Sequence, residues 1–332
     1  MRNRSQRLRV AMLMCATASV AGIPSHAEFS VCDPRAAWIS VNGADGALVL
    51  NLTAANFHAT FAGKNLPIFS VTPAAPLHRM VLVIHMSERM KRPSTIRTVL
   101  TLAADIVNRV PAGVEFALVT FNDDPHWDHP FTTDKDAFVA TLHRLDDANL
   151  WRGSSAVFDA IEFSIEKLSQ PRGGDVILLI SCGYDNASKS YLEAATEDAS
   201  LSKIRIFTVG IPLQELVGAN DKQLLREGQQ GLDDLAASSG GESFDLGPPD
   251  FLKERRGIHM AFPVEKNLGN ISAIADSILR EMTTGYSLGI SMPPQVKKPI
   301  EWKLEVTNTE GEKQQIRYPA KLYPCYSGAK HK

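Results

Sequence analysis

The chain has 332 residues, 44% of them apolar and 22% charged, with a formal net charge of −2. That length holds one large domain, or a medium one with a smaller companion, and the composition is that of an ordinary folded protein. A slightly acidic chain without a basic block lacks the clustered Lys and Arg that nucleic-acid phosphates demand, and no apolar run reaches the roughly 18 residues of a membrane helix.

Arg2, Arg4, Arg7 and Arg9 precede an apolar stretch over residues 10–23, followed by Pro24-Ser25-His26-Ala27. Positive charge without an acid, then an apolar run, then small residues at Ser25 and Ala27 mark an export signal (1–27) cleaved before Glu28. Cys15 is not a lipid-anchor cysteine, since Met14 stands where a small residue is wanted. A secreted or periplasmic location is expected, in an oxidising compartment where cysteine pairs persist. Beyond the signal lie Cys32, Cys182 and Cys325. An odd number leaves at least one thiol free or paired outside the chain. Cys32 and Cys325 are the disulfide candidate, because domain termini often meet, and a bridge closing so long a loop contributes up to ~5 kcal/mol. Cys182 is then left alone.

Residues 36–71 read as short strands broken by "NGADG" and "AGKN". "VLVI" (81–84), "FALV" (116–119), "ILLI" (177–180) and "IFTV" (206–209) are continuous apolar runs, as strands buried on both faces require. Helical stripes lie between and after them. Ile96, Val99, Leu100, Ala103, Ile106, Val107 and Val110 end at Pro111 and Gly113; Val157, Ala160, Ile161, Ile165 and Leu168 end at Pro171. Ile271, Ile274, Ala275, Ile278, Leu279 and Met282 stop at Gly285. Gly240-Gly241 is a helix stop and not a phosphate loop, since no G-x-x-x-x-G-K-[ST] is present. Residues 247–269 read as a long surface loop. Residues 286–326 read as strand–turn–strand, with "WKLEV" and "QQIRY" flanking "TNTEGEK". Strand–helix alternation predicts an α/β fold with a doubly wound, mainly parallel, Rossmann-like sheet. The expected organisation is a signal peptide (1–27), an N-terminal β flank (28–78), the α/β domain (79–285) and a C-terminal β flank (286–332). The two flanks, too small to hold separate cores, are expected to pack into one small β unit.

In the middle of the chain, "VLVIHMSERM", "TFNDDPHWDHPFTTD", "GSSAVFDAI", "VILLISCGYDNAS", "IRIFTVGI" and "LDDLAASSGGESF" follow one another in an order that resembles the von Willebrand factor type A domain. "LNLTAANFHATFAGKNLPIFSV" before this core and "ILREMTTGYSLGI" after it resemble the bacterial secreted proteins related to that family. The resemblance implies loops above the strand ends that build a metal-ion-dependent adhesion site. There a D-x-S-x-S loop, a Thr and an Asp give Mg²⁺ oxygen ligands, and a partner carboxylate completes the shell.

This sequence departs from that pattern. The first loop reads His85-Met86-Ser87-Glu88-Arg89, the Thr position is Ser155, and the Asp position is Cys182. Both ligand carboxylates are gone, and the hydroxyls of Ser87 and Ser155 cannot offset the dehydration of Mg²⁺. Arg89 is expected to place its charge where the cation would sit. The residues implied for a degenerate binding site are therefore His85, Ser87, Arg89, Ser155 and Cys182, with no metal and no cofactor. One reading is that the site is vestigial and another surface binds. A second gives Arg89 the metal's task of holding a partner carboxylate. A third makes His85 and Cys182 soft-metal ligands, two being too few for a tight site. A fourth makes them a thiolate–base pair, although no orienting acid, G-x-S-x-G or H-E-x-x-H accompanies them. The expectation is a non-catalytic protein mediating protein–protein interaction or adhesion at the cell envelope. Its alternative is a structural scaffold that binds through the β flanks by strand addition.

Two smaller signals are set aside. His126, Asp128 and His129, beside Asp123 and Asp124, read as polar residues of a hairpin tip. The glycosylation-type triplets at Asn51, Asn186 and Asn270 read as accidental.

Overall fold

The four apolar runs become the centre of one sheet: β5 (Arg79–His85), β6 (Glu115–Phe121), β8 (Val176–Ser181) and β9 (Arg205–Gly210). The structure is a computed structural model that describes residues 35–43, 47–211, 219–246, 271–293, 296–307 and 314–324. The segment 1–27, Cys32, Cys325, Asn270 and the loop 247–269 lie outside the described residues. With β7 (Pro125–Thr132) and β10 (Ser243–Asp245) the strand order is β10-β9-β8-β5-β6-β7. All neighbours run parallel except β6 and β7, which form an antiparallel hairpin.

Every residue of β5, β8 and β9 is buried, because helices cover both faces. The two-residue period of a strand divides them. Met80, Leu82 and Ile84 of β5 join a core with α1 (Pro93–Arg109), α2 (Lys135–Arg144) and α6 (Ile271–Thr283). Val81 and Val83 join the opposite core, with α3 (Val157–Lys167), α4 (Leu192–Leu201) and α5 (Ala219–Ser239). Two details of the helices differ from their sequence reading. Leu102 of α1 is fully buried while Leu100 is only partly so, and α2 and α4, absent from the sequence reading, bury Phe138 and Leu142 and the small Ala195 and Ala199. The edge strand β7 alternates in exposure, with Trp127 and Phe131 inward and His126 and Asp128 outward.

The flanking strands mix N- and C-terminal segments. β1 (Arg35–Asn42) lies between β11 (Tyr286–Ile290) and β14 (Gln315–Arg317), and β4 (Ile68–Pro73) extends this sheet beyond β11. β2 (Phe57–Phe61) pairs with β3 (Lys64–Leu66) and β13 (Lys303–Val306), while β12 (Ile300–Glu301) pairs with β15 (Lys321–Leu322). Ile39, Val41, Phe57, Leu66, Leu288 and Trp302 share one apolar cluster. Strands β13 and β14 fall in the two segments read as strands, and each pairs with an N-terminal strand: β13 with β2 and β14 with β1. Each of these strands buries its apolar side against an N-terminal strand instead of against the other. Among the described residues no helix is long and apolar enough to cross a membrane.

Candidate functional site

The carboxyl ends of β5, β6 and β8 and the segment leading into α3 converge on the imidazole of His85, the last residue of β5. Its Nε2 is 2.8 Å from Ser155 Oγ, and its Nδ1 is 3.0 Å from Ser181 Oγ and 3.6 Å from Cys182 Sγ. The ring stacks on Phe121 at 4.6 Å between centroids, with 6° between planes. His85, Ser87, Ser181 and Cys182 are fully buried, and Ser155 is 1% exposed. Burial holds the His85 pKa down to about 3. It pushes the Cys182 thiol up to about 11, against the pull of the Tyr184 backbone N–H and the Arg89 charge. Both groups are therefore neutral at physiological pH, and a neutral imidazole donates from one nitrogen and accepts at the other. A thiolate activated by a base needs the opposite shifts, so this is not the electrostatics of a nucleophile.

Arg89 lies beside this cluster, close enough for its charge to act on Cys182. Between the Ser155 and Ser181 hydroxyls is the His85 imidazole, while the Arg89 guanidinium lies 4.1 Å over the Tyr184 ring. Glu88–Met90 is a short 3-10 turn, which carries Arg89 outward to a half-buried position while Glu88 pairs in solvent with Lys91 at 3.5 Å. Ser87 precedes this turn, and its buried hydroxyl has no hydrogen-bond partner. The structure thus brings His85, Ser155 and Cys182 into direct contact and leaves Ser87 and Arg89 beside them. The sequence reading overlooked Ser181, Phe121 and Tyr184. Ser181 and Tyr184 stand in the quoted loop "SCGYD", and adjacency to Cys182 was the available signal.

The surrounding loops hold one another. Ser155 N–H donates to Asn186 Oδ1 at 2.9 Å, and the N–H groups of Asn186 and Ala187 donate to Ser155 O at 3.0 Å. Helix α3 begins behind Ala156, which has no capping side chain. Asp185 supplies the cap from the next loop, accepting from Val157 N at 2.7 Å and Phe158 N at 3.3 Å, where the helix dipole favours a carboxylate. Asp123 likewise accepts from Ser154 N at 2.9 Å. These acids are spent on backbone N–H groups. Gly183 has φ +78, and a Cβ there would stand 2.2 Å from Gly228 O, so this loop abuts α5 closely. On the β6–β7 hairpin, Asp128 accepts from the Thr120 N–H at 3.0 Å and its hydroxyl at 2.7 Å. Among the described residues no three His, Cys, Asp or Glu are grouped to hold a metal ion.

Residues 80–239 match the von Willebrand factor type A domain family. The chain carries a VWA domain. Its mainly parallel sheet, covered on both faces, is the Rossmann-like VWA architecture. Among solved structures it is similar to a von Willebrand factor type A protein from Catenulispora acidiphila, at 10% identity over 87% of this chain and 74% of that one, with a TM-score of 0.45. An aerotolerance-related membrane protein from Bacteroides fragilis matches at 16% identity over 62% of this chain and 98% of that one, with a TM-score of 0.45. Proximal thread matrix protein 1 from the mussel byssus, in a structure with a zinc-occupied MIDAS motif, matches at 15% identity over 67% and 50%, with a TM-score of 0.46. No curated protein sequence matches the chain.

The metal of the VWA family does not fit the residues present here. Mg²⁺ wants near-octahedral oxygen with carboxylate charge. The corresponding loops offer an imidazole, a neutral thiol and three serine hydroxyls, two of them already bonded to that imidazole.

Proposed function

We propose that the chain is an exported, non-catalytic interaction protein whose VWA domain binds a protein partner without a metal ion, through the loops at the carboxyl edge of its sheet. The observation that carries this reading is the His85 imidazole, bonded through one nitrogen to Ser155 and through the other to Ser181. It cross-links the loops that an ion would otherwise tie together, with neutral hydrogen bonds where coordination would need charge. The neutral Cys182–His85 pair speaks against both the soft-metal and the nucleophile readings. Arg89 and Tyr184, half-buried on the rim, are within reach of a partner, and the buried His85, Ser87, Ser155 and Cys182 support them from beneath. Export rests on the Arg-rich start and the apolar run of residues 1–27, and the Cys32–Cys325 bridge on the oxidising compartment that export implies.

One observation favours the alternative of a scaffold that binds through the β flanks. Phe69 lies on the outer strand β4 and is 54% exposed. Crosslinking of the tagged full-length chain in its native envelope separates the readings. A partner captured equally with and without EDTA, and lost on Arg89→Ala but not on Phe69→Glu, is the expected result. Capture abolished by EDTA overturns metal independence, and capture lost only with Phe69→Glu transfers the function to β4.

A further inference from the structure

The loop that follows β5 and the segment that leads into α3 are zipped together. Arg152 N–H donates to Met86 O at 2.9 Å, and Glu88 N–H to Gly153 O at 3.2 Å. Gly153 permits this approach: its φ is +82, and a Cβ there would stand 2.2 Å from Asp123 Oδ2. Asp123 also accepts from Ser154 N–H at 2.9 Å, which ties the segment to the β6–β7 connection. Arg89 and Arg152 are thereby carried on neighbouring backbone, Arg89 half-buried over Tyr184 and Arg152 exposed.

The polar groups of this edge divide unevenly. Its carboxylates already serve as acceptors. Asp185 takes the first N–H groups of α3, Asp159 those of Lys189 and Ser190, and Asp147 that of Asn149. Glu88 pairs with Lys91, and Asp124 with Lys189. Asp146 lies in the groove between α1 and α2, with Arg97. Among the cations, Arg92 is engaged as well. Neither Arg89 nor Arg152 has an acceptor for its guanidinium among the described residues. Each presents a planar fork of N–H donors that matches the edge of a carboxylate, and stacking on Tyr184 uses only the face of Arg89.

Apolar side chains flank the two arginines. Of the four large apolar side chains exposed among the described residues, Leu150 stands two positions before Arg152 and Tyr191 at the start of α4, both on this edge. Tyr and Arg are the residue types that most often anchor an interface.

We propose that Arg89 and Arg152 form a two-pronged clamp for an acidic peptide segment of the partner, which lays neighbouring carboxylates on the two guanidiniums and apolar side chains against Leu150 and Tyr191. The clamp rests on the reading that the carboxyl edge binds a protein partner, and adds the chemistry of what is bound. A partner that offers acceptors fits an edge whose own acceptors are spent, and a basic partner finds them taken.

Titration of fluorescent hexaglutamate onto the full chain, followed by anisotropy in low and in high salt, tests the clamp. Hexaglutamate is expected to bind in low salt and to be released in high salt, and hexalysine is expected not to bind. Arg89→Gln and Arg152→Gln should each weaken binding about tenfold, and the double change should abolish it. Arg172→Gln, at the amino end of β8, should leave it unchanged. If Arg89→Gln does not fold, the exposed Arg152 carries the test alone. Equal binding by the wild type and the arginine variants overturns the clamp, as does an equal loss with Arg172→Gln. No binding of hexaglutamate also overturns it, and binding of hexametaphosphate in its place assigns the edge to a phosphate polymer. Partner capture in the envelope that is lost on Tyr184→Ala but kept in the double arginine variant removes the clamp and leaves the binding edge standing.

Discussion

The imidazole of His85 meets the hydroxyl of Ser155 at 2.8 Å across 70 residues of chain. This contact, with its counterpart to Ser181, requires an uncharged ring, since imidazolium could only donate and would sit fully buried without an anion. The folded pKa of about 3 lies below the ordinary 6.5, so between these values the unfolded state binds the extra proton. Stability from this group is complete above pH 6.5 and is lost as pH falls towards 3. The stability gap between wild type and His85→Asn is expected to narrow by about 2–3 kcal/mol from pH 6.5 to 4.5, at ~1.4 kcal/mol per unit. Urea denaturation of both proteins at the two pH values measures it, and the comparison cancels the pH dependence that the two share. A gap independent of pH would mean that His85 is not held neutral.

Metal ions are expected to leave the protein unchanged. A site whose dissociation constant lay a hundredfold below the ion concentration would add about 2.7 kcal/mol, and hence raise the melting temperature by about 5–10 °C. Thermal scans in 5 mM MgCl₂ (a chosen concentration, ~10² times a micromolar-range dissociation constant) and in EDTA are expected to coincide within about 1 °C.

Cys182 is expected to resist alkylation. It is fully buried and its thiol is raised to about 11, so almost none is thiolate at pH 8. Peptide mapping after iodoacetamide treatment should find Cys182 unmodified in the native protein and modified after denaturation in guanidinium. Rapid native labelling would revive the nucleophile reading.

Gly183→Ala is expected to cost about 2–4 kcal/mol. The backbone stands at φ +78, which a side chain resists by about 1–2 kcal/mol, and the new Cβ would also press on the Gly228 carbonyl at 2.2 Å. Because α5 must then withdraw from the loop bearing Ser181 and Cys182, Arg89-dependent partner capture should weaken as well. Chemical denaturation and capture read the two effects separately.

The sheet was legible because its signals are local. A strand covered on both sides must be apolar at successive residues, and "VLVI", "FALV", "ILLI" and "IFTV" are. The stripes of α1, α3 and α6 followed from a 3.6-residue period, whereas the ten-residue α2 and α4 bury only short faces, Phe138 with Leu142 and Ala195 with Ala199, that did not stand out. The partners of β13 and β14 were not legible, because turn residues mark where a chain can bend and not what its strands then pair with.

By itself the sequence determined the chemistry on offer, an imidazole at His85, a thiol at Cys182 and hydroxyls at Ser87 and Ser155, since ligand chemistry is a property of residue type. Tertiary structure alone decided how such groups are used: the ring between two hydroxyls, Arg89 laid over Tyr184, and Asp185 capping a helix from another loop. Each of these depends on burial and on contacts between segments distant in the chain. Hydrogen bonds and desolvation act through space, while periodicity and propensity act along the backbone, so the first left no trace in the order of the residues.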